Sequence, residues 1–118
     1  MTQNNQIKFK QTEIGEIPEN WQVKELGKLI EIKHGYAFKG KYFSESETEY
    51  ILLTPGNVAI GGGFNSSKFK YYNGEIPKDY VLKEDQMFIN MTDLSKAGDT
   101  LGYSAKVPNL NNKTFLHN

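Results

Sequence analysis

Thr92, Asp93, Ser95 and Lys96 place two hydroxyls, a carboxylate and an amine within five consecutive positions. They follow an apolar run, Met87, Phe88, Ile89 and Met91, that reads as a buried strand. Ala97-Gly98-Asp99 turns the chain, and residues 102–107 return as a second strand. A strand that delivers such groups onto one anchored loop is a common way to build a binding surface. The same residue types also make an ordinary solvated hairpin turn, so the motif alone does not decide. A second chemical set lies upstream. Residues 64–72, FNSSKFKYY, interleave aromatic side chains with Lys68 and Lys70. Lysine neutralises phosphate and aromatic rings pack on sugars or bases, although a strand with one buried side has the same composition.

Other chemistries lack their residues. Gly61-Gly62-Gly63 is followed by neither Lys-Ser/Thr nor a helical pattern, and there is no G-x-G-x-x-G. No serine is framed as G-x-S-x-G. His34 and His117 are far apart and neither sits at metal-ligand spacing. Asp93 and Asp99 form a conceivable carboxylate pair, but a loop aspartate more often forms a turn or a cap. Without cysteine there is no disulfide framework, thiolate metal site or thiol nucleophile.

The elements that must position these groups are short. A chain of 118 residues suits one domain. At this size roughly two-thirds of the unfolded surface can be buried. No apolar run approaches the ~20 residues of a membrane helix, and the polar start is unlike a signal peptide, so a cytoplasmic protein is expected. Fourteen basic residues balance fourteen acidic ones, and every basic residue is lysine. Neutral net charge leaves room for local fields: residues 24–41 carry five lysines against Glu25 and Glu31, and residues 59–73 carry Lys68 and Lys70 with no acid.

In chain order, residues 1–20 read as an N-terminal arm, polar at first and then extended, with a turn at Gly15. The stretch 14–18, IGEIP, is too broken for a strand or helix. Asn20 is an N-cap candidate for a short helix from about Trp21 that would bury Val23, Leu26 and Ile30. Residues 39–44 suit one helical turn. Strands are expected at 50–53, 68–72 and 87–91, and another begins at Thr114. The predicted core is Trp21, Leu26, Phe38, Ile51, Leu53, Phe88, Ile89 and Val107. The fold class is α+β: one domain with a short N-terminal helix and a twisted, mixed or antiparallel sheet. From the residues alone the reading ends at a cytosolic domain suited to binding.

Three segments in order resemble a known family. Residues 12–29, TEIGEIPENWQVKELGKL, carry a G-x-I-P-x-x-W-x-x-x-x-L-G pattern. HGYAFKGKYF, residues 34–43, carries G-x-x-F-x-x-x-x-F, and MTDLSKAGDTLGYSAKVP, residues 91–108, carries M-T-D-L…G…L-G…V-P. Together they resemble the N-terminal target-recognition domain of type I restriction–modification specificity subunits. Asp85-Gln86 stands where that family often has Gly-Asp. The chain also stops where such domains continue into further strands and a spacer helix, so it is expected to be most of one domain, truncated at its C-terminus. Such a cut predicts an unpaired sheet edge near 114–116 and a tendency to self-associate.

The resemblance implies a non-catalytic, cofactor-free DNA-binding module for defence against foreign DNA. It would recognise one half of a bipartite duplex target. It would position the methyltransferase subunit, which uses S-adenosylmethionine, within a complex that also holds a restriction subunit. The contact surface would then comprise residues 34–41, 61–70 and 92–96. Lys33, Lys39, Lys41, Lys68, Lys70 and Lys96 would serve phosphates, and Tyr36, Asn57, Asn65, Ser66, Thr92 and Asp93 would serve base edges. Guanine is most often read by arginine, which this chain lacks, whereas it has eleven asparagines. An adenine read by Asn57 or Asn65 follows. About four Lys–phosphate contacts would give a log–log salt slope of roughly −3.6. The alternative is a specificity fragment that binds the methyltransferase or a complementary half-subunit without reading DNA. A hydrolase using Asp93 or His34 is a third and weaker option.

Overall fold

The computed structural model describes residues 6–92 and 96–118, and the chain divides into two units, Met1–Lys33 and His34–Asn118. In the first unit, β1 (Phe9–Thr12) and β2 (Gly15–Pro18) form an antiparallel hairpin in which Thr12 faces Gly15. Gly15 takes a φ of 114°, open to glycine without penalty. The Thr12 hydroxyl donates to the Gly15 carbonyl at 2.7 Å. The IGEIP stretch is therefore half of a hairpin: ladder pairing with residues 9–12 overrides its weak local propensity.

The short N-terminal helix is absent. A 3-10 turn, Leu26–Lys28, stands in its place, and its cap residue Glu25 makes no side-chain capping bond. Trp21 is 60% exposed, and Val23, Leu26, Leu29, Ile30 and Ile32 are exposed too. Trp21 and Leu26 thus leave the predicted core. With Gly27 in the middle and no packed face, this segment has little to offset the cost of helix nucleation.

The second unit is built on a five-stranded sheet in the order β3 (Phe43–Ser44), β5 (Lys70–Tyr72), β4 (Tyr50–Leu52), β9 (Thr114–Leu116), β6 (Val81–Leu82). β4 and β9 run parallel, and the other neighbours are antiparallel. Outside it, β7 (Met87–Ile89) pairs with β8 (Ser104–Lys106). Among the described residues helical structure is confined to four 3-10 turns, so the molecule is sheet-dominated and fits α+β loosely. β9 lies inside the sheet with a partner on each side, which overturns the expected unpaired edge at 114–116. The edges are β3 and β6, of two residues each.

Strand alternation gives the sheet two faces, and both are covered. Ile51, Tyr71 and Phe115 stand side by side in the ladder. With Leu53, Val107, Phe64, Phe69, Leu82 and Phe88 they form one apolar cluster. Leu52, Tyr72 and Leu116 form the other, with Phe38, Tyr50, Ile76 and Tyr80. Ile51, Leu52 and Leu116 are fully buried, and each such side chain contributes about 1.5–3 kcal/mol of burial free energy. β7 departs from the buried strand expected: Phe88 packs inward, while Met87, Ile89 and Met91 are exposed, so Ile89 leaves the predicted core. A strand of the outer layer is buried on one face only, so its apolar residues divide between the two sides.

Candidate nucleic-acid interface

The turn after β4 organises the face that carries Phe64 and Phe88. Thr54-Pro55-Gly56-Asn57 closes a 3-10 turn, Pro55–Asn57, with proline at its start. The Asn57 side chain is 0% exposed. Its Oδ1 accepts from the Thr54 backbone N–H at 2.9 Å and from the Thr54 hydroxyl at 3.3 Å. Its Nδ2 donates to the carbonyls of Asn65 at 3.1 Å and Lys68 at 3.2 Å. Asn65 reciprocates: its Nδ2 donates to the Gly56 carbonyl at 3.1 Å, and its Oδ1 accepts from Ser67 N–H. Two asparagines thus fold the loop after the turn back onto the turn.

Between them Val58 and Phe64 form a bridge, and Gly61, Gly62 and Gly63 all take positive φ, 82°, 100° and 89°. A run of three such residues is accessible to glycine alone. This tight excursion brings Gly63 N–H to within 2.9 Å of the Ser104 carbonyl on β8. Asn90, immediately after β7, donates from Nδ2 to the Pro55 carbonyl at 2.9 Å. Phe64 meets Phe88 edge-on, with ring centroids 6.3 Å apart. The glycine loop and the β7–β8 pair are therefore joined by backbone, side chain and ring contacts. Of the three segments expected to share a surface, the 61–70 loop thus meets the strands that flank the 92–96 segment, of which residues 93–95 lie outside the described residues.

The third does not join them. Residues 34–41 cover the opposite face of the sheet. Tyr36 N–H donates to the His117 carbonyl at 2.9 Å, and the Phe38 ring packs edge-on against Tyr72 at 4.9 Å. Lys41 lies 4.9 Å from the Tyr42 ring centre, and Lys70 lies 4.7 Å from that of Phe43. Tyr36, Lys39, Lys41 and Lys70 therefore belong with this face. Asn65, Ser66 and Lys68 belong with the glycine loop, and Thr92 and Lys96 lie in the chain between β7 and β8. Lys33 belongs to the first unit, and Asp93 lies outside the described residues.

One predicted base reader is corrected. Asn57 has no accessible surface, and its amide is consumed inside the fold. Asn65 is half-buried with its polar atoms engaged, whereas Ser66, Thr92 and Lys96 are exposed. Sequence reasoning passed over Asn90 and Lys106. Asn90 occupies the inward phase set by Phe88, and a polar residue at an apolar-phase position is the signal that singles it out. Lys106 sits on the outward phase of β8, opposite Met87. On the other face, burial pushes the Tyr72 hydroxyl above its ordinary pKa, helped by Tyr42, Tyr36 and Glu75 nearby. Among the described residues no group of three or more His, Asp or Glu side chains is placed to hold a metal ion. No helix among them is long and apolar enough to cross a membrane.

No protein-family model matches the chain, and no solved structure gives a significant match. Among curated proteins, the chain is similar to the type I restriction enzyme MjaVIII specificity subunit of Methanocaldococcus jannaschii. The two are 33% identical over 87 residues, which make up 73% of this chain and 19% of that protein. The similarity places this chain in a specificity-subunit-like relationship to about a fifth of its relative's length.

Proposed function

We propose that this chain is a non-catalytic DNA-recognition module of a type I restriction–modification system. It reads one half of a bipartite duplex target and helps to position the methyltransferase subunit. The similarity to a specificity subunit suggests the class of function. The observation that supports a location for it is the joining of the glycine loop to the β7–β8 pair, with Ser66, Lys68, Thr92, Lys96 and Lys106 exposed along these segments. Exposed hydroxyls and lysines on a braced loop pair suit contacts to base edges and phosphates. The residue-level assignments, the methyltransferase and restriction subunits as partners and a cytoplasmic location are parts of this proposal.

Selection from a pool of random duplexes at low salt tests it. The chain, alone or with its methyltransferase, should retain duplex and enrich one short motif. Retention without any enriched motif in either condition would defeat the recognition reading. A second reading, a protein-interaction fragment, draws on the outward face of β7, where Met87, Ile89 and Met91 are exposed together. It expects Met87→Lys with Ile89→Lys to abolish methyltransferase binding, and expects no motif from the duplex pool.

A further inference from the structure

We propose that Asn90 is a positioning residue for base discrimination, the brace that fixes the spacing between the glycine loop and the β7–β8 pair. This rests on the DNA-recognition reading above. Asn90 is 5% exposed, so it touches no ligand itself. Its backbone is built into the β7–β8 ladder: its N–H donates to the Tyr103 carbonyl at 3.0 Å, and its carbonyl accepts from Gly102 N–H at 2.9 Å. Its side chain reaches out of that ladder to the Pro55 carbonyl, 35 residues away in sequence. Pro55 and Gly56 form the turn onto which Asn57 and Asn65 fold the glycine loop. One amide thus ties the frame of one loop to the frame of the other.

Gly63 N–H to the Ser104 carbonyl makes the second tie, at the far side of the same two segments. The Gly63 tie is backbone to backbone and independent of side-chain identity. The Asn90 tie depends on one Nδ2–H. Reading a base edge requires donors and acceptors held within a few tenths of an ångström, about 0.5 Å at most. Contacts to the phosphate backbone tolerate more slack and carry no sequence information. Loosening this brace should therefore cost discrimination before it costs affinity.

The isosteric change Asn90→Asp tests this, because it replaces the donor with an acceptor facing the Pro55 carbonyl. The probe is a random-duplex pool together with the motif that the unaltered chain enriches from it. Expected for Asn90→Asp is retention of the unselected pool within about twofold of the unaltered chain, and a preference for the motif at least tenfold lower, about 1.4 kcal/mol. An unchanged preference overturns the proposal. So does a parallel loss on motif and pool with a matching loss of folded protein, which marks Asn90 as merely structural. Hydrogen exchange of the unaltered chain gives a measurement that does not depend on the variant folding. The enriched duplex should slow exchange in residues 58–67 and 98–104 together, and protection of only one segment overturns the brace. If the unaltered chain enriches no motif, the recognition reading fails and this inference with it; enrichment that Asn90→Asp shares in full removes the inference alone.

Discussion

Asn57 has the side chain of an adenine reader and the position of a core residue. Its amide makes the four hydrogen bonds that close one turn and anchor one loop. Asn57→Ala would strand the Thr54 N–H and the Asn65 and Lys68 carbonyls. Unfolding in urea should show a loss of about 1–3 kcal/mol, with affinity for motif and pool falling together. A loss of adenine discrimination at unchanged stability would restore the direct-reading role. Thr100 presents the opposite situation. It is 6% exposed, and among the described residues its hydroxyl finds no hydrogen-bond partner. Replacing a buried, unsatisfied hydroxyl by a methyl of the same shape removes a desolvation penalty of about 1–3 kcal/mol. Thr100→Val is expected to raise the urea midpoint at constant m-value, and a lower midpoint would mean that the hydroxyl has a partner in solution.

β9 shows why composition misleads about strand rank. The sequence 114–118 looks like a strand begun and abandoned. In the fold it lies between β4 and β6, with Phe115 packed on one face and Leu116 on the other. A central strand buried on both faces is the costliest to truncate, so Leu116→Ala should cost about 2–5 kcal/mol in equilibrium unfolding. A change below about 1 kcal/mol would place β9 at an edge after all. The strands expected at 50–53, 68–72 and 87–91 form, shortened to Tyr50–Leu52, Lys70–Tyr72 and Met87–Ile89; they were legible because two are apolar runs and the third alternates aromatic and lysine side chains. The N-terminal helix was misread because Val23, Leu26 and Ile30 have helical spacing, and spacing does not reveal whether a face finds a partner. The split of the candidate site across the sheet was not legible either: which loops share a face follows from long-range register, such as Ile51 against Tyr71 and Phe115. The sheet also carries a pH dependence. Tyr72 in β5 has its pKa raised, chiefly by burial. A raised folded-state pKa means that the neutral phenol is favoured by folding. That stability is complete below the unfolded value of about 10 and is lost as pH rises through the higher folded value. Tyr72→Phe should flatten the alkaline limb of a stability–pH profile above about pH 10. An alkaline limb as steep as that of the unaltered chain would assign the loss to other groups.

Charge placement across the second unit sets how it can meet a duplex. The chain as a whole is neutral, so under the proposed DNA-recognition role attraction to a duplex would come from lysines that share a face. Lys39, Lys41 and Lys70 belong to the face closed by Phe38 and Tyr72, and two of them already lie over aromatic rings. Lys68 follows the glycine loop, Lys106 stands on β8, and Lys96 lies in the chain between β7 and β8. A rigid duplex approaching that pair reaches one set and not the other. About four contacts drawn from six candidate lysines on one surface would give a slope of roughly −3.6; the divided arrangement leaves three candidates, Lys68, Lys96 and Lys106, away from the Phe38 face. Each phosphate neutralised contributes about 0.9 to the slope, so log–log salt titrations should give a value no steeper than roughly −2.7. Replacing Lys68, Lys96 and Lys106 by alanine together should flatten the slope toward zero. The matching triple at Lys39, Lys41 and Lys70 should leave it within about 0.5 of the unaltered chain, less than one phosphate contact. The reverse pattern would move the duplex to the Tyr36 face and leave the glycine loop without a role in binding it.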